Sequence, residues 1–210
     1  MNNINGLTYS EMIYLFADRA VKERSKLFNY DTHPSGEKIA VKPLSHKMVT
    51  AAIAYLVDKG YLALSIKNVK KLFIFPGKEV FGKKLKEAGS DVTGIEKILL
   101  NSFKDEKELH KAVYWLLNDD ESSPWGQMVW LSKNSLAEKG YLVLEKERKN
   151  IFTAKRYLFG EKDMKTVAPL YEEAEKSLTQ FSVKPEIGKM TQNIVIRSIA
   201  ARREQSSSDD

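Results

Sequence analysis

A chain of 210 residues, 42% hydrophobic and 30% charged, is long enough to bury a core and too apolar to stay disordered. It has no cysteine, which excludes disulfides, thiolate metal sites and cysteine nucleophiles; no apolar run approaches the ~20 residues that span a bilayer. The 34 Lys and Arg against 28 Asp and Glu leave a net charge of +6, which favours polyanions such as phosphate backbones or acidic lipid headgroups.

The N-terminus lacks the charged-then-apolar order of a secretory leader. A cytoplasmic protein is expected, touching a membrane only peripherally and on its cytoplasmic face. Thr8-Tyr9-Ser10-Glu11 has capping-box spacing ahead of Met12, Ile13, Leu15 and Phe16, which predicts a first helix. Residues 21–43 read as a polar, basic connection turning at Pro34-Ser35-Gly36, with a short hairpin pairing 26–30 with 38–41. A helix over 45–59 follows, carrying Val49, Ile53 and Leu56 as an apolar stripe. It stops at Lys59-Gly60, where glycine suits the left-handed closing conformation and lysine the negative end of the helix dipole. Residues 61–75 read as a hairpin with the basic tip Lys67, Lys70 and Lys71.

Helices are predicted over 91–103 and from Asp105 and Glu108 onward, the latter carrying Leu109, Val113, Leu116 and Leu117. Asp119-Asp120-Glu121, with Ser122, Ser123 and Pro124, reads as a solvated loop. A helix over 127–139 ends at Lys139-Gly140, and residues 141–159 form a second hairpin with the tip Lys146, Arg148 and Lys149. Residues 164–180 read as a helix in which Pro169 fits the first turn if the helix starts later. After Pro185 a last helix carries Ile187, Met190, Ile194 and Ile199. The tail 205–210 has nothing to bury.

Two of these segments are copies. VTAAIAYLVDKGYLAL at 49–64 matches VWLSKNSLAEKGYLVL at 129–144, aligning Leu56 with Leu136, Lys59 with Lys139, Tyr61 with Tyr141 and Leu64 with Leu144. The fold class expected is mainly α with short β-hairpins. It comprises duplicated helix-plus-hairpin, winged-helix-like units (44–78 and 124–162) within a single helical domain over 1–204, then a disordered tail.

Constellations for catalysis are missing. His33, His46 and His110 are isolated, and each reads first as a surface or half-buried side chain. There is no GxSxG elbow, no HExxH and no glycine-rich phosphate loop. No cofactor, no metal and no enzymatic activity are expected.

The ordered set Leu7-Thr8-Tyr9-Ser10-Glu11, Ala54-Tyr55-Leu56-Val57-Asp58-Lys59-Gly60, Val92-Thr93-Gly94, Ser135 to Leu142 and Lys189 to Val195 resembles the Golgi phosphoprotein 3 family. The resemblance runs over roughly residues 7–200. It implies a helical protein that docks on phosphoinositide membranes through a basic face and a hydrophobic hairpin, and that grips the basic cytoplasmic tails of membrane proteins. Where the family places phosphate-binding arginines, this chain has Val49, Gly126 and Val129, so no guanidinium fork is expected. Its headgroup-stacking tryptophan would fall within 21–43, where only Phe28 or Tyr30 offers a ring.

The remaining candidates for an anionic phospholipid surface are Lys42, His46 and Lys47 at the start of the first repeat helix and Lys133 in the second, with Lys70, Lys71, Arg148 and Lys149 at the hairpin tips. Phe28 and Trp125 are the candidate membrane anchors, although a tryptophan beside Val129 is more often core. The alternative is a tandem winged-helix protein binding nucleic acid. Against it, the first repeat helix offers Thr50, Ala51, Ala54 and Asp58 to a groove, and the second only Gln127, Lys133 and Asn134.

Overall fold

Thr8 and Glu11 open the first helix as their spacing implies: the Glu11 carboxylate accepts the Thr8 backbone N–H at 2.8 Å. The structure is a computed structural model that describes residues 6–22, 29–71, 75–116, 123–149, 152–184 and 186–206. Along the chain these form α1 (Tyr9–Leu15), α2 (Ala17–Ala20), β1 (Tyr30–Thr32), β2 (Lys38–Ala40), α3 (Val41–Asp58), β3 (Leu62–Lys71) and β4 (Phe75–Lys84). There follow α4 (Gly94–Ser102), β5 (Lys107–Glu108), α5 (Leu109–Tyr114), α6 (Pro124–Glu138), β6 (Leu142–Lys149), β7 (Phe152–Phe159), α7 (Met164–Ser182) and α8 (Ile187–Ser206). The chain is thus mainly helical, with short antiparallel sheets.

The centre is α3. It is apolar on every side from Met48 to Leu56, and α1, α4, α6, α7 and α8 all pack on it. Thr50, Ala51 and Ala54, expected on a groove-facing surface, are buried, and of that set only Asp58 is exposed.

The two copies end their helices alike. Gly60 has φ +67° and Gly140 +76°. Tyr61 N–H reaches back to the Leu56 carbonyl at 2.8 Å, and Tyr141 N–H to Leu136 at 2.9 Å. Gly60 N–H bonds Val57 and Gly140 N–H bonds Ala137, completing the crossed pair of bonds that closes a helix on a left-handed residue. Each chain then enters an antiparallel hairpin: Leu62 pairs with Lys84 and Leu142 with Phe159. The far end of each hairpin is tied to the helix exit by Leu85 N–H to Tyr61 O and Gly160 N–H to Tyr141 O, both 2.8 Å.

The copies diverge in cover. The first hairpin gains β5 as a third strand along Phe81 and Gly82, and α5 and α8 pack on it. The second has two strands, and Val143, Leu144 and Phe159 remain exposed.

Several boundaries move. Lys107 and Glu108 pair with β4, so the helix expected from Asp105 begins at Leu109. The repeat helices start earlier than 45 and 127 because Pro43 and Pro124 fit a first turn. The hairpin expected between 26–30 and 38–41 has its first strand displaced along the chain, pairing Tyr30–Thr32 with Lys38–Ala40. Pro169 lies inside α7 rather than in its first turn. The last helix runs through Ser206, into the expected tail. Phe28, Leu117, the loop 119–122 and the tail 207–210 lie outside the described residues.

A polar cluster crosses the core where α1, α4 and the end of α6 meet. The fully buried Glu11 carboxylate receives Lys139 Nζ at 2.7 and 2.8 Å, Ser135 Oγ at 2.6 Å and Thr93 Oγ1 at 2.9 Å. Beside it the fully buried Glu96 accepts the Ser10 N–H at 3.0 Å and the Ser10 hydroxyl at 2.7 Å. Burial first, and the neighbouring Glu11 charge second, lift the Glu96 carboxyl to about 7. The lysine of the second Lys-Gly stop therefore has a second role: it places a cation on the buried Glu11 of this carboxylate pair.

Candidate functional site

The sequence candidates do not converge on one place. Lys47 faces a groove of about 440 Å³ between α3, α7 and α8, but its ammonium is taken by Glu175 at 2.6 Å and the Ala20 carbonyl at 2.9 Å. His46 lines the same groove. Burial, then the nearby Lys42 charge, push its imidazole down to about 4, so it is neutral at pH 7 and attracts no anion. Neither residue fits the expected anion-binding role: Lys47 because α7 and the chain at Ala20 supply partners for its ammonium, His46 because burial keeps its ring neutral. Lys70 is exposed on β3 opposite Pro76. Lys71, Arg148 and Lys149 sit at the strand ends opposite Phe75, Thr153 and Phe152, and their side chains lie outside the described part, as does Phe28.

Lys133 lies in a pocket of about 300 Å³ against the N-terminal half of α6, and Lys42 stands over the ring of Trp125, one of the residues of its wall. Ser123 caps this helix, its hydroxyl accepting the Gly126 N–H at 3.2 Å, and Pro124 occupies the first turn. Gly126, Val129, Trp130 and Lys133 then recur at i, i+3, i+4 and i+7, so one face of α6 forms the pocket wall. Tyr30 and Asp31 of β1, Val41 of α3 and Tyr157 of β7 complete it.

Electrostatics distinguish this pocket from the groove. Lys38 Nζ stands 4.5 Å from the Tyr30 ring centre, Lys42 Nζ 5.6 Å from Trp125, and Lys133 Nζ 5.2 Å from Tyr157. Three ammonium groups are thus held against the aromatic rings of one cavity, an arrangement that favours each by about 0.5–1 kcal/mol at exposed sites. One carboxylate lines the cavity: Asp31, which pairs with Lys133. Its other oxygen accepts the Tyr14 hydroxyl at 2.9 Å. Behind it His33 is buried, its Nε2–H donating to the Tyr14 carbonyl at 3.0 Å and its Nδ1 hydrogen-bonded with Ser35 Oγ at 2.8 Å; burial lowers its proton affinity.

Trp125 corrects the anchor expectation. It is 6% exposed and belongs to the core, its ring covered by Lys42. Trp130, further along the same helix, is 54% exposed at the pocket mouth and was not among the residues singled out from the sequence. Its helical spacing from Gly126 and Lys133 was the available clue. Asp31 and Lys38 carried none, since their place depends on how a short hairpin folds back on α6.

Among the described residues no group of three or more His, Asp or Glu side chains is placed to hold a metal ion, and no helix is long and apolar enough to cross a membrane. Comparison with protein-family models, with curated proteins and with solved structures found no match.

Proposed function

We propose that this chain is a non-enzymatic peripheral membrane adaptor of the Golgi phosphoprotein 3 type, built on duplicated winged-helix-like units, and that it takes anionic phospholipid headgroups at the α6 pocket. One observation carries the reading: three of the aromatic residues that wall a single cavity, Tyr30, Trp125 and Tyr157, each hold a lysine over their ring (Lys38, Lys42 and Lys133), one carboxylate lines the cavity, and Trp130 is exposed at its mouth. Two positive charges in excess at an anionic leaflet contribute about 2 kcal/mol, so binding through this pocket alone is weak and salt-sensitive. Indole at the rim suits the headgroup layer. The exposed Val143, Leu144 and Phe159 lie on the hairpin whose Tyr157 lines the same pocket, which adds an apolar element on that side. The absence of arginine at positions 49, 126 and 129 removes the bidentate phosphate grip, which argues against a sharp phosphoinositide preference. Duplex reading is disfavoured because the central helix α3 is enclosed by five others and has no face to insert into a groove.

The test is co-sedimentation with phosphatidylserine-containing vesicles at low salt and at about 0.15 M salt. Pelleting at low salt that weakens with salt supports the reading. It should be abolished by Lys38→Glu with Lys42→Glu and kept by Lys97→Glu, a charge reversal on the exposed side of α4. Pelleting indifferent to the pocket substitutions, or none at low salt, refutes it.

A further inference from the structure

Lys133 lines the pocket itself, whereas Lys38 and Lys42 stand over two of its wall rings, and Lys133 is already spent. Its ammonium lies against Asp31, and the pair is largely enclosed, with side chains 13% and 14% exposed. The fully buried Tyr14 hydroxyl holds the second oxygen of the same carboxylate. Asp31 is therefore fixed from two sides. Lys38 and Lys42, by contrast, stand over the Tyr30 and Trp125 rings.

Resting on the headgroup reading above, we propose that Asp31 is a built-in competitor that occupies Lys133 and holds the pocket to singly charged headgroups. A fixed anion at the pocket wall repels a second anion more strongly as that anion's charge rises, and enclosure weakens the screening that would mask the effect. A headgroup carrying one net negative charge meets little of this repulsion and is drawn by the two remaining ammonium groups. A phosphomonoester brings additional charge toward a carboxylate that Tyr14 and Lys133 keep in place. Asp31 thus sets headgroup selectivity without being the residue that grips the lipid.

The decisive variant is Asp31→Asn. Its amide oxygen can still accept the Tyr14 hydroxyl, while its amide nitrogen cannot hold an ammonium, so Lys133 is released into the pocket. The assay is vesicle co-sedimentation at low salt with phosphatidylserine and with phosphatidylinositol 4-phosphate vesicles matched for total charge. Asp31→Asn is expected to bind the phosphoinositide vesicles about five-fold more tightly than the wild type, the worth of one basic charge at an anionic surface, with a smaller gain on phosphatidylserine. Adding Lys133→Gln restores the original charge and should return binding to the wild-type level on both lipids. Circular dichroism and thermal melting of each variant confirm that the fold is kept. Wild-type pelleting with no gain in a folded Asp31→Asn variant overturns the inference and leaves the headgroup reading standing. An equal gain on both lipids, or a gain that survives Lys133→Gln, also overturns it. No pelleting by any of the three proteins overturns the headgroup reading itself and this inference with it.

Discussion

Replacing Glu96 by glutamine should stabilise the protein in alkaline solution and leave it almost unchanged in acid. Glu96 is fully buried, its oxygens accept the Ser10 N–H and hydroxyl, and Glu11 stands beside it with Lys139 on the far side. The other titratable group facing it is Tyr55, whose hydroxyl is committed to Asp91. Folding raises the carboxyl from 4.5 to about 7, which amounts to roughly 3 kcal/mol at about 1.36 kcal/mol per pH unit. Because the folded value is the higher one, the stabilisation is complete below the unfolded value and is lost as pH rises through the folded value. Glutamine keeps an acceptor for the Ser10 N–H and a donor for the Ser10 oxygen, and so imitates the protonated acid at every pH. Urea unfolding of both proteins at about pH 5 and about pH 8.5 measures the difference, and other titrations cancel in the comparison. The advantage of Glu96→Gln should grow by roughly 2–3 kcal/mol from the lower pH to the higher. An advantage that does not change with pH would show that Glu96 does not titrate near neutrality, and the reading of the buried pair would be wrong.

Other substitutions probe the frame around the pocket. Gly60→Ala and Gly140→Ala should each cost about 1 kcal/mol by thermal melting, and nearly the same amount, since both residues close a helix at positive φ with no backbone crowding a new Cβ. Lys139→Met should cost about 3–5 kcal/mol, because it leaves the buried Glu11 carboxylate without its cation. Trp125→Ala should cost about 3–5 kcal/mol as a core truncation, whereas Trp130→Ala should change stability by less than about 1 kcal/mol and still weaken vesicle pelleting.

Local chemistry was the part of this fold that could be read from residues. Lys59-Gly60 and Lys139-Gly140 end helices because glycine accepts the left-handed geometry whatever surrounds it, and the alternating residues after them form strands. Thr8 and Glu11 open α1 for the same reason. Partners distant in sequence were not legible. Glu11 looked like a cap residue alone, yet it also receives Lys139 and Ser135 from the other end of the molecule. Lys47 and Lys133 looked like free cations until Glu175 and Asp31 came against them. Lys107 and Glu108 carry a helical pattern but pair with β4, an edge that only the folded first hairpin provides. The pocket itself was half visible, through the spacing of Gly126, Val129 and Lys133, and half dependent on the β1–β2 hairpin that brings Tyr30 and Asp31 to it.

Quenching of tryptophan fluorescence by brominated phospholipids tests most directly whether the α6 pocket faces a bilayer. The three tryptophans differ: Trp125 is buried, Trp130 is exposed at the pocket mouth, and Trp115 is exposed just past the end of α5 against Tyr114 and Arg202. With phosphatidylserine vesicles at low salt, quenching should occur in the wild type, persist in Trp115→Phe and largely disappear in Trp130→Phe. Quenching that survives Trp130→Phe and is lost in Trp115→Phe would mean that a different face meets the membrane, and would contradict the proposed site.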